Sequence, residues 1–116
     1  MTVQYIDINT YTEISDILED ELPSVINEFL KDSSMKISDL ECLVKSFEPE
    51  KVFAISHSLK SSSANLGALQ MSELCREIEA ISRNGSMDNV PELFDSLKTI
   101  FSASSEELKK LSSGRI

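Results

Sequence analysis

The chain is 116 residues long, enough for one domain with one core and too short for two ordinary domains. Hydrophobic residues make up 41% and charged residues 27%, the balance of a soluble globular protein, while three glycines and three prolines leave little room for the tight turns of a sandwich or barrel. Eleven basic residues against twenty acidic ones give a formal charge of -9, which lacks the phosphate-neutralising surface that nucleic-acid binding requires.

Met1 to Asn9 holds no Lys or Arg and no apolar run of signal-peptide length, and no stretch approaches the roughly 20 apolar residues of a membrane span. A cytoplasmic protein without membrane insertion is expected, and Met1 just ahead of the first helix favours a stand-alone protein. In chain order, a short helix is predicted over about 10–18, with Thr10 and Glu13 in capping-box register and Ile14, Ile17 and Leu18 on its apolar side. A long helix follows over about 21–47. Leu22, Val25, Ile26, Phe29, Leu30, Ile37, Leu40, Val44 and Phe47 repeat at its three-and-four spacing, and Pro23 fits its first turn. From Leu22 to Phe47 it would run about 38 Å at ~1.5 Å per residue, a length that few small folds other than bundles need.

A third helix over about 49–66 carries Val52, Ile55, Leu59 and Leu66 inward and stops at Gly67, a residue suited to a left-handed cap. The fourth, over about 69–84, repeats Met71, Leu74, Cys75, Ile78 and Ile81 and ends at Asn84-Gly85. The fifth, over about 89–112, takes Pro91 in its first turn and repeats Leu93, Leu97, Ile100, Ser104, Leu108 and Leu111, leaving a frayed tail from Ser112 to Ile116. The fold class is therefore all-α. Four amphipathic helices joined by short turns bury their stripes most simply as an antiparallel up-and-down bundle, closed as a monomer, with the short first helix across one end. Cys42 and Cys75 sit within the helical apolar patterns and read as reduced core thiols, and one His without a CxxC pair supplies no zinc ligand set.

On a wheel of about 100° per residue starting at Val52, the inward set Val52, Ile55, Leu59, Ser62 and Leu66 centres near 320° and His57 lies near 140°, on the opposite side. The only histidine is thus expected to face solvent, in company with Phe53, Lys60, Ser61 and Ala64. A register with Phe53, Ser56 and Lys60 inward is disfavoured because it would bury a lysine charge. A lone surface histidine beside a lysine is most often only that. The small residues and the aromatic ring around it, however, suit a docking face better than a merely solvated one. A neutral imidazole is a competent nucleophile, and the Lys60 ammonium one turn away would stabilise a phosphoryl group added to it. No Ser-His-Asp order, metal cluster or Gly-rich phosphate loop accompanies the pair, so neither hydrolysis nor ATP chemistry is expected.

The run His57-Ser58-Leu59-Lys60-Ser61-Ser62-Ser63-Ala64-Asn65-Leu66-Gly67-Ala68 resembles the signature of histidine-containing phosphotransfer (HPt) domains, roughly H-x-L-K-G followed by small residues and G-A. Leu22-Pro23 with Phe29-Leu30 upstream, and Cys75-Arg76-Glu77-Ile78-Glu79 downstream, extend the likeness over about Leu22 to Leu111. The resemblance implies a phosphorelay intermediate that is not itself an enzyme and needs no cofactor or metal of its own. His57 would accept a phosphoryl group through Nε2 from the aspartate of a receiver domain, in a hybrid sensor kinase or a response regulator, and return it to another. Lys60 and Ser61 would support the phosphate, and Phe53 and Ala64 would form the docking surface. Ser61 departs from the usual glycine, although serine remains small and its hydroxyl could bond the phosphate. Extending the resemblance places Glu79 and Arg83 near the histidine. A carboxylate is unusual there, and a surface i,i+4 Glu79–Arg83 pair outside the site is the plainer expectation. The competing functional class is a helical-bundle adaptor that binds a partner through the same face without phosphorylation.

Overall fold

The structure is a computed structural model and describes residues 4–113. Five α-helices follow in order, and no strand occurs among the described residues: α1 (Ile8–Leu18), α2 (Leu22–Lys45), α3 (Pro49–Asn65), α4 (Leu69–Arg83) and α5 (Val90–Ser113), with a 3-10 turn at Glu19–Glu21. Helices α2 to α5 each pack against their neighbours in sequence, and α5 closes back on α2, giving a four-helix ring with α1 laid against α2. Leu22, Ile26 and Leu40 of α2, Val52 and Leu59 of α3, Met71 and Ile78 of α4, and Leu97 and Leu108 of α5 are almost wholly buried in one continuous core. Apolar stripes at helical spacing can lose their contact with water only by facing one another in this way.

The helix ends have local causes. α1 begins two residues earlier than the capping-box reading placed it. Its cap is Asp7, whose carboxylate accepts from the Thr10 amide at 3.0 Å and the Thr10 hydroxyl at 2.7 Å. Asp7 is itself fixed by its amide bond to the Gly67 carbonyl at 2.7 Å, a tertiary tie that no local motif signals. Ile17 is 74% exposed and faces away from the core, which α1 meets through the buried Tyr11 and Ser15 together with the expected Ile14 and Leu18, both partly buried against it. α2 stops at Lys45 and not at Phe47. Phe47 adopts φ 57° and is exposed, while the Ser46 hydroxyl closes the helix end on the Cys42 carbonyl at 3.0 Å.

Cys42 is exposed and only Cys75 is a core thiol, because Cys42 falls between the stripe positions Leu40 and Val44. Ser112 and Ser113, expected to fray, are helical; Gly114, Arg115 and Ile116 of the same expected tail lie outside the described residues. α3 ends in a Schellman motif: the Gly67 amide donates to the Ala64 carbonyl at 3.0 Å and the Ala68 amide to the Ser63 carbonyl at 2.9 Å, with Gly67 at φ 85°. No helix among the described residues is long and apolar enough to cross a membrane.

Candidate functional site

The buried face of α3 is Val52, Ser56, Leu59, Ser63 and Leu66, rotated by about 40° from the face expected from hydropathy alone. Ile55 and Ser62, expected inside, are only half-buried, and Ser56 and Ser63 take the central positions. Serine can do this because its hydroxyl is satisfied within the helix: Ser56 Oγ donates to the Val52 carbonyl at 2.7 Å and Ser63 Oγ to the Leu59 carbonyl at 2.6 Å. Two small buried residues let α4 come close to α3, and this is the most extensively packed helix pair in the molecule. The rotation turns Phe53 and Lys60 toward α4. The rejected register is thus partly right: Ser56 is buried, while Phe53 and Lys60 are half-buried and the lysine charge is paired.

The partner is Glu79 of α4, 4% exposed. Its Oε2 lies 2.9 Å from His57 Nδ1, and its Oε1 lies 3.0 Å from Lys60 Nζ and 3.3 Å from Arg83 Nη2. The expected Glu79–Arg83 pair therefore exists, but Glu79 is not a surface residue and does not stand apart from the histidine. One carboxylate ties His57 and Lys60 of α3 to Arg83 of α4. Burial pushes the Glu79 carboxyl up, but the hydrogen bonds from Lys60 and His57, followed by their charges, outweigh it and hold the group below the usual carboxylate value. An ionised carboxylate has no proton to give, so Nδ1 is the donor, and in the neutral ring Nε2 keeps its lone pair.

His57 remains on the surface, its side chain 56% exposed. Phe53 is half-buried and acts as a platform. Its ring stacks on the imidazole with centroids 5.9 Å apart and planes at 21°, and the Arg83 guanidinium lies 5.4 Å from its centre. Between them, the stacked ring and the Nδ1 hydrogen bond fix the orientation of the imidazole. Ser61 is exposed and Ala64 half-buried, one and two turns beyond the histidine. On the other flank of α3, Lys36 of α2 donates to Ser58 Oγ at 2.7 Å and pairs with Asp32 at 2.9 Å, so its charge is engaged away from His57. The arrangement presents a nucleophilic nitrogen on an open surface with two cations behind it. Among the described residues no cluster of His, Cys, Asp and Glu could hold a metal ion.

The histidine, the lysine behind it and the helix that carries them match a family model, the Hpt domain, over residues 24–109. The chain belongs to the Hpt domain family. Among solved structures this Hpt domain is similar to histidine-containing phosphotransfer protein B (HptB) from Pseudomonas aeruginosa PAO1, with a TM-score of 0.93 and 22% identity, covering 99% of this chain and 100% of that one. At that identity the likeness is one of fold. A comparison with curated proteins gave no match.

Glu79 is the site residue that the sequence reading left out. Its signal was present: it stands four residues after Cys75 and eight after Met71, on the buried stripe of α4. A charge at a stripe position is informative because it must find partners there.

Proposed function

We propose that this Hpt domain is a phosphorelay intermediate. His57 Nε2 takes a phosphoryl group from the aspartyl phosphate of one receiver domain and passes it to the aspartate of another. The observation that supports this best is the exposed imidazole whose Nδ1 is held by a buried carboxylate, which directs the free lone pair of Nε2 outward. Lys60 and Ser61 support the phosphate, with Lys60 exchanging its bond to Glu79 for one to the phosphoryl oxygens. The open face around Phe53 and Ala64 admits the receiver, which brings its own divalent cation. The protein acts as a cytoplasmic monomer, a carrier without ATP chemistry of its own.

Transfer of labelled phosphate from a phosphorylated receiver tests the reading. Wild type should acquire acid-labile, alkali-stable label, and His57→Gln should acquire none while keeping its helical circular dichroism. Lys60→Ala should slow transfer by about ten- to a hundredfold, the worth of one charge-assisted hydrogen bond. If folded wild type stays unlabelled by a broad panel of receivers and by phosphoramidate, the phosphotransfer role fails and the adaptor reading takes its place.

A further inference from the structure

Glu79 uses its two oxygens differently: Oε1 meets the cations Lys60 and Arg83, whereas Oε2 meets His57 Nδ1. The other titratable group close to it on α4 is the Cys75 thiol, which burial pushes up to about 12 and so leaves uncharged. From α2, Lys36 reaches the flank of α3, where it is engaged by Asp32 and Ser58. The carboxylate is therefore the one negative charge that these contacts bring against the ring.

Resting on the phosphotransfer reading above, we propose that Glu79 is a positioning residue that keeps the Nδ1 proton on His57 after phosphorylation and so holds the phosphohistidine in its transfer-ready form. In the forward step the Nε2 lone pair attacks phosphorus. The N–P bond forms as the P–O bond to the receiver's aspartate breaks, and that electron pair leaves as aspartate carboxylate. The ring, still carrying the Nδ1 proton, becomes positively charged, and Glu79 Oε2 faces that charge directly. In the onward step a receiver carboxylate oxygen attacks phosphorus, the N–P bond breaks, and the electron pair returns to Nε2. The leaving group is then a neutral imidazole. Had Nδ1 lost its proton, the leaving group would be an imidazolate anion, a far poorer one. A neutral acceptor at position 79 could orient the ring, but only a charged one holds the proton against rising pH.

The test separates orientation from charge. Wild type and Glu79→Gln are phosphorylated with phosphoramidate, and the rate of transfer to one receiver domain is followed through the neutral and alkaline range. Glutamine retains an acceptor oxygen and loses the charge. The alkaline fall in rate should therefore set in at lower pH in the variant, by on the order of one pH unit. Coincident profiles would overturn the inference while leaving His57 as the acceptor, whereas absence of label on wild type would overturn both readings. Should the variant fail to fold, ¹⁵N spectra of phosphorylated wild type decide. The Nδ1 proton should persist to higher pH in the folded protein than in the same phosphoprotein in urea, and equal persistence would sink the proposal.

Discussion

His57, Lys60 and Arg83 converge on a single carboxylate, and the pH dependence of that contact has a definite sign. The Glu79 carboxyl is held below its ordinary value of 4.5, so its contribution to folding is fully present above that value and is lost as pH falls through the lower, folded value. The difference in urea midpoint between wild type and Glu79→Gln should shrink as pH falls below 4.5; a difference that stays the same there would mean that the carboxylate charge contributes nothing. The two thiols differ in the same physical terms. Cys42 is exposed, while burial first, and then the charge of Glu79, pushes Cys75 up to about 12. A maleimide should label Cys42 in the native protein and Cys75 only after unfolding, read by mass spectrometry. His57 and Lys60 were legible in the sequence because they sit in a contiguous motif. Glu79 was legible only as a charge at a stripe position, four residues after Cys75; its i,i+4 spacing to Arg83 offered a surface pair instead, and the α3–α4 packing is what brings His57 and Lys60 onto it.

The positions and order of the helices were readable from apolar spacing, proline at helix starts and glycine at helix ends, all of which are local signals. What could not be read was set by contacts between elements. The buried face of α3 turns on Ser56 and Ser63, which hydropathy counts as polar, and the start of α1 depends on a bond from Asp7 to the α3–α4 turn. That turn makes a prediction at the same scale. Gly67 and Gly85 both have positive φ, at 85° and 77°, so a side chain is strained at either. At Gly67 an added Cβ would also come within 2.9 Å of the Asp7 carbonyl oxygen, which is backbone, whereas at Gly85 nothing lies within 4 Å. Gly85→Ala should cost about 1 kcal/mol, the strain alone, and Gly67→Ala clearly more, with loosening of α1. Urea midpoints measure the costs, and hydrogen exchange at the Asp7 and Tyr11 amides locates the loosening. Equal costs at the two glycines would show that the Asp7 contact yields freely.

For the whole molecule, closure of α2 to α5 into a ring leaves one shared core, and that core contains an unusual number of hydroxyls. Ser56, Ser63, Ser82 and Ser105 are buried or nearly so, and each donates to the carbonyl four residues earlier, at 2.6 to 2.8 Å. Ser33 of α2 and Ser104 of α5 are equally buried, yet their hydroxyls have no hydrogen-bond partner among the described residues. α2 and α5 form the side of the ring away from the His57–Glu79 contact between α3 and α4, so these serines can be changed without touching it. An unsatisfied buried hydroxyl costs about 1–3 kcal/mol, and alanine removes that cost with almost no change of volume. Ser33→Ala and Ser104→Ala should each raise stability by about 1 kcal/mol in urea unfolding, after allowance for the little packing that is lost. Ser56→Ala and Ser63→Ala forfeit a made bond on a close helix contact and should be neutral or destabilising. If all four substitutions behaved alike, the distinction between bonded and unbonded hydroxyls would not govern this core. If the expected split appears, the α2–α5 side of the bundle is below its attainable stability, and the Ser33→Ala Ser104→Ala double variant should take up phosphate at His57 at the wild-type rate.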